Sequence, residues 1–327
     1  MTTGPVEVAL PRRSRLLQLA VVRDYGIVVA FIALFVTLSL ASDVFLTRDN
    51  LLNLAFQAAP VGIMACGGAL VFIAGGFDLS VGVISSFAGV IAAKAFTGTG
   101  LGLWPSIALG ALVGLGFGVG NGLLVTLARI NPFIATLGSS IIIRGIGIAV
   151  TGGFLVSVDS EEWAKVGLGE AWGINYPIFV WIGFALFCGF LLWRTSFGRY
   201  VYAAGGNAEA ARLAGVPVGV VRATTFAISG LSAGIAGVIL ASEVGTAQAD
   251  ANPLIEFDVI TAVVLGGVSI LGGEGAIWRA VLGAFFLQMI SNGFNLLNVQ
   301  PVYQQVFKGS ILLGAVALDA WARRTRT

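Results

Sequence analysis

No histidine occurs anywhere in the 327 residues. Ser/His/Asp and Cys/His nucleophilic sites, HExxH zinc sites and histidine proton relays are therefore excluded. Charge is scarce as well: Asp, Glu, Lys and Arg make up 10% of the chain, against about 25% in soluble domains. The two cysteines, Cys66 and Cys188, lie in apolar stretches and read as buried packing thiols, with no redox compartment to infer. None of the three lysines, Lys94, Lys165 and Lys308, stands in a GxxxxGK[ST] context, so the chain has no P-loop of its own. Any ATP that drives it must be bound by a partner. No cofactor, metal or nucleic-acid partner is expected.

What is abundant is apolar surface and glycine. Hydrophobic residues account for 57% of the chain and glycine for 46 positions, which leaves too little polar surface to face water on all sides. The glycines lie inside apolar runs instead of alternating with Pro or Ser, so they read as close helix packing and not as linkers. The composition predicts an all-α polytopic membrane protein.

Crossing ~30 Å of hydrocarbon takes about 20 apolar residues in a helix. Ten segments come near this: 25–41, 54–74, 81–95, 105–128, 132–150, 176–193, 223–241, 259–271, 277–296 and 303–320, the third and eighth being short. Basic residues collect on the cytoplasmic side of membranes. With the N terminus inside, thirteen of the 18 basic residues fall on inner segments, among them Arg129, Arg194, Arg199, Arg212, Arg222 and Arg279, while Asp43, Asp49, Glu161, Glu162, Asp250, Glu256 and Asp258 fall outside. Ten spans with both termini cytoplasmic account for this asymmetry. The expected organisation is a cytoplasmic tail at 1–24, a transmembrane domain at 25–320 and a second tail at 321–327. The first apolar run is longer than a signal-peptide core and is expected to stay as an anchor.

Inside the spans, Gly110, Gly114, Gly118 and Gly122 recur every four residues and mark a packing ridge on one helix face. Polar groups at membrane depth are few and tend to face the bundle interior or a water-filled path. Gln57, Asn121 and Arg144 are among them, and Gln288, Asn292 and Asn295 form one stripe of the ninth span. Their amides suit either a neutral polyol or helix-to-helix hydrogen bonds. None of the 16 acids falls deep in a span by this topology, which disfavours an ion-coupled secondary transporter. An intramembrane hydrolase would need a nucleophile with a base, or an Asp pair, and neither is present.

Two glycine-bracketed turns stand out: GGFDLSVG, with Gly76, Asp78, Ser80 and Gly82, and GGVSILGGEG, with Gly266, Gly267, Gly272 and Gly273. Asp78 or Ser80 can accept from the N–H groups that open the next helix. Neither turn follows a strand in a βαβ unit, so neither reads as a phosphate cradle.

The cytoplasmic stretch 194–222 contains a short helix with marked ends. Asn207 serves as N-cap, residues 208–214 (AEAARLA) are strong helix formers, Gly215 can take the C′ position and Pro217 stops continuation. Two turns fall far below the ~12–15 residues an isolated helix needs in water. The helix must dock on something.

Assembled in order, these motifs resemble the membrane subunit of ribose-type ABC sugar importers. The similarity runs through TRDNLLNL (47–54), GGFDLSVG, NPFIATLG (131–138) with Arg144 following, FGRYVYAAGGNAEAARLAGV, VVLGGVSILGGEG and SNGFNLLNV (291–299). Asn131-Pro132 and Phe77 depart from the pattern. The resemblance implies inverted repeats of spans 2–5 and 7–10, a second copy of the chain, cytoplasmic ATPase subunits and an extracytoplasmic sugar-binding protein in a bacterial inner membrane. It also implies an ATPase-coupling role for Gly205, Gly206, Asn207, Glu209, Ala210, Arg212 and Gly215. A substrate path through Gln57, Asn121, Gln288, Asn292 and Asn295 is a further expectation. A nucleoside, an autoinducer or a branched-chain amino acid remains an alternative cargo.

Overall fold

The computed structural model describes residues 13–324. Residues 1–12 and 325–327, the outer parts of the expected tails, lie outside the described residues. The chain is mostly helical. Each of the ten expected spans overlaps a helix, the eighth only as far as Leu265: α1 (Arg13–Ala41), α2 (Arg48–Ile73), α3 (Val81–Gly98), α4 (Leu103–Thr126), α5 (Pro132–Thr151), α7 (Tyr176–Arg194), α10 (Val218–Val244), α11 (Ile255–Leu265), α12 (Ile277–Leu296) and α13 (Pro301–Arg324). Between them lie α6 (Glu161–Leu168), α8 (Ser196–Gly206) and α9 (Ala208–Leu213). Four two-residue strands pair as short antiparallel ladders. One ties β1 (Val156–Ser157) to β4 (Thr246–Ala247); the other ties β2 (Glu170–Ala171) to β3 (Ile174–Asn175).

Local chemistry sets several boundaries. Thr47 caps α2 by accepting from the Asn50 N–H, and Asn131 caps α5 by accepting from the Phe133 N–H, with Pro132 at the first helical position. Gly152 and Gly245 close α5 and α10 in the left-handed conformation.

Among the described residues, six helices are long and apolar enough to cross a membrane: α2, α3, α4, α5, α7 and α10, with a shorter apolar stretch at Gly26–Ala41. The other expected spans differ from these for identifiable reasons. α11 has 11 residues because the chain before it, 246–254, folds back into the bundle; a side chain at Gly82 would collide with Ile255 and Glu256 at its start. α12 is long enough, but Arg279 and its three amides lower its hydropathy.

The glycine ridge of α4 packs as its spacing requires. Gly114 abuts the Gly230 carbonyl and Gly234, Gly118 abuts Phe226 and Gly230, and Gly122 abuts Ala223, all on α10. With no side chains between them the two backbones come into direct contact. The other face of α4 carries exposed Leu112, Val119 and Leu123, as a lipid-facing surface does. α2 runs through the middle of the molecule, packed by α7, α10, α11 and α12, and its residues 62–74 are all buried. Cys66 on α2 and Cys188 on α7 are free and buried, as their apolar neighbourhoods predict.

Candidate functional site

Three polar constructions interrupt the apolar bundle. On the side holding the 194–222 stretch, Thr195 caps α8 and Asn207 caps α9, its Oδ1 accepting from the Ala210 N–H at 2.9 Å. Gly215 adopts the left-handed conformation at φ +83. The helix thus lies where its end signals place it. It touches α8 and the start of α10, only Ala211 is buried, and Leu213 is 75% exposed. Glu209 and Arg212 form an exposed ion pair at 2.5 Å. That hydrogen bond and the guanidinium charge hold the Glu209 carboxyl below its ordinary range, and the same bond with the carboxylate charge pushes Arg212 up.

What lies directly above α9 was not legible in the sequence. The last turn of α8 brings Gly205 against the end of α2 and the second glycine turn at once. A methyl on Gly205 would overlap the Ile73 carbonyl and the Gly273 N–H, groups that are hydrogen-bonded to each other at 2.9 Å. Gly272, at φ +90, lies against Gly75 and Gly205. Arg222 stitches the same place by donating from Nε to the Ala74 carbonyl (3.0 Å) and from Nη2 to the Ala204 carbonyl (3.3 Å). Tyr202 donates its hydroxyl to the Gly275 carbonyl at 2.7 Å, and burial pushes its phenol pKa up, so it remains a donor. The ends of α2, α8 and both glycine turns therefore meet in one backbone junction. Gly206 differs from its neighbour Gly205. No atom lies within 4 Å of a Cβ built on it and its φ is not positive, so it needs no glycine-only conformation.

The second construction is buried. Asp78 Oδ1 accepts from the Ser80 N–H (2.9 Å) and hydroxyl (2.5 Å), and Oδ2 accepts from Ser229 of α10 at 2.9 Å. Asn121 of α4 donates to Ser80 at 2.8 Å, and Thr136 of α5 accepts from the Leu79 N–H at 3.1 Å. Asp78 lies in the turn between α2 and α3 and not in a span, yet it is buried, 3% exposed. The GGFDLSVG turn folds inward, because α4, α5 and α10 supply its hydrogen bonds. As expected, Asp78 takes the Ser80 N–H.

The third is ionic. Arg144 of α5 pairs with Asp250 at 3.1 Å, and Lys308 of α13 pairs with Asp258 of α11 at 3.0 Å. The Arg144 and Asp250 side chains are 44% and 45% exposed. Arg144 stands inside a helix long and apolar enough to span, where a charged side chain ordinarily needs an ionic partner or a water-filled path. Nothing in the sequence assigned Arg144 a partner 106 positions away.

Four amides of the expected path, Gln57, Gln288, Asn292 and Asn295, are hydrogen-bonded to side-chain amides on neighbouring helices. Gln288 bonds Gln57 at 2.6 Å, Asn292 bonds Asn50 at 2.8 Å, and Gln304 bonds Asn295 at 2.9 Å. This stripe fastens α12 to α2 and α13. Asn121 and Asn292 are buried.

A family model described as "Branched-chain amino acid transport system / permease component" matches residues 50–316. The chain belongs to this permease family. The permease is 39% identical to the L-arabinose ABC transporter permease protein AraH of Azospirillum brasilense, over 99% of this chain and 95% of the relative. It is 38% identical to the L-arabinose transport system permease protein AraH of Escherichia coli K12, over 93% and 92%. Identity to the ribose import permease protein RbsC of Escherichia coli K12 is 35%, over 89% of the permease and 92% of the relative. No solved structure matches the permease. The matched residues include α9, the backbone junction above it and both glycine turns.

Proposed function

We propose that this permease moves a monosaccharide inward across a bacterial inner membrane, driven by ATP hydrolysed on separate cytoplasmic subunits. The chain acts as a homodimer and receives sugar from an extracytoplasmic binding protein. Support for the cargo comes from relatives named for arabinose and ribose. The ATP-driven mechanism rests on one structural observation, the position of α9 immediately below the Gly205 junction.

A two-turn helix with an exposed leucine and an exposed ion pair is built to be covered by a partner. Force on α9 passes through Asn207 and Gly206 to Gly205, and from there to Ile73, Gly75, Gly272 and Gly273. Those residues end α2 in one half of the chain and precede α12 in the other. A push on α9 therefore reaches both halves together, as rigid-body rocking requires. Gly205, Gly206, Asn207, Glu209, Ala210, Arg212 and Gly215 form this coupling element. The polar stripe of Gln57, Gln288, Asn292 and Asn295 and the buried Asn121 hold the moving helices in register and border the path.

The test is sugar uptake and ATP hydrolysis in proteoliposomes. The permease alone, under a proton or sodium gradient, should accumulate no sugar; with its ATPase and binding protein it should accumulate sugar only when ATP is supplied. Concentrative uptake by the chain alone under an ion gradient would overturn the reading.

A further inference from the structure

A further polar feature lies at the end of α10 away from α9. Segment 246–252, which follows the end of α10, closes over a cavity of about 170 Å³ between α3 and α10. Ser85, Ser86, Thr246, Gln248 and Asn252 supply its polar lining, and no lining residue is charged. The Ser85 and Ser86 hydroxyls both donate to the Gly82 carbonyl (2.7 and 3.2 Å), which leaves their oxygens available as acceptors. The Gln248 and Asn252 side chains make no hydrogen bond to other described residues. Each amide offers both donors and an acceptor.

We propose that this cavity is a low-affinity subsite for a neutral monosaccharide, occupied in transit through the outer half of the path. The argument has three parts. A neutral lining that both donates and accepts matches a ring of hydroxyls, whereas a phosphate, carboxylate or ammonium would need a counter-charge that the lining lacks. The volume corresponds to about five or six water molecules at their liquid volume, the scale of one sugar ring. The cavity opens to the surface, because Gln248 and Ala251 of its lining are exposed, and the other side of the same segment is held by the Arg144–Asp250 pair and by Ala249 packing on Gly147 of α5. Asp250 thus anchors the cavity wall to α5, and Arg144 is a positioning residue for it. The inference rests on the sugar-permease reading given above.

Because Cys66 and Cys188 are buried, a cysteine introduced at the cavity can be labelled selectively by an aqueous maleimide. The permease–ATPase complex carrying Gln248→Cys, and separately Asn252→Cys, is labelled without binding protein in the presence of L-arabinose, D-ribose or leucine at millimolar concentration. At least one sugar should slow labelling, and leucine should not. Gln300→Cys, exposed in the α12–α13 connection, should label at the same rate throughout. Unchanged labelling at both cavity positions, protection by leucine alone, or equal protection at position 300 would each overturn the proposal. In full complexes, Gln248→Ala should raise the half-saturating sugar concentration for uptake by about fivefold, the equivalent of one lost hydrogen bond. If wild-type complexes take up no sugar, the functional reading fails. If they do and the cavity variants match them, only the subsite fails.

Discussion

Gly273 donates its backbone N–H to the carbonyl of Ile73 at 2.9 Å, across 200 positions of sequence. This bond joins the end of α2 to the second glycine turn, and Gly205 fits over it with no room for a side chain. The contact is made by backbone atoms of all three segments, so it is stiff in a way that packed side chains are not.

Gly205→Ala should separate the three segments. Overpacking of this kind costs about 1–3 kcal/mol. Complexes carrying it should assemble but show no stimulation of ATP hydrolysis by binding protein and sugar. Gly206→Val, with open space around its Cβ, should leave the melting temperature of the chain unchanged, so any coupling defect there reports contact with the ATPase. Wild-type stimulation in Gly205→Ala would remove the junction from the coupling route.

Glu209→Lys reverses an exposed charge in the first turn of α9 and breaks its pair with Arg212. The helix N-terminus also disfavours a cation. The variant should insert and melt as wild type does, yet lose stimulated ATP hydrolysis and sugar uptake together. Retention of both would return α9 to a surface connector.

The same pair predicts a pH dependence. Arg212 lowers the Glu209 pKa below its ordinary value, so the contribution of the pair is complete above the ordinary carboxylate range near 4.3. It is lost as pH falls through the lowered value. Between pH 6 and 8 the pair should be constant. Isotope-edited infrared titration of Glu209 should show its midpoint rising in Arg212→Gln; an unmoved midpoint would mean that the pair does not form.

Along the α4–α10 contact, Gly114→Val should be severely destabilising, because its side chain would enter the backbone of Gly230 and Gly234. Gly116→Ala, two residues away with nothing within 4 Å, should be neutral or stabilising by about 0.5–1 kcal/mol. Thermal unfolding in detergent distinguishes the two. Equal melting temperatures would show that the helices do not make this contact in the protein.

Asn292→Leu removes the partner of the Asn50 carbonyl oxygen. Leaving that group unsatisfied costs about 1–3 kcal/mol, so the expected effect is a lower melting temperature. Uptake per folded complex should fall less than stability does. A large transport loss at unchanged stability would instead assign Asn292 to the path itself.

Much of this architecture follows from the sequence alone. Apolar run length, Asn131-Pro132, and Asn207 with Gly215 determine where helices begin and end, since those effects act over one or two turns of chain. The four-residue spacing of the α4 glycines likewise determines that one face packs closely, because helical periodicity aligns them. Tertiary structure alone decided which backbone they meet, that Asp78 is buried against Ser229 of α10, that Arg144 pairs with Asp250, and that Gly205 closes on Ile73 and Gly273. Each of these depends on segments dozens to hundreds of residues apart being brought together. Local pattern cannot encode such distances, because the free energy that selects them comes from packing complete helices against one another and from satisfying polar groups that lipid cannot solvate.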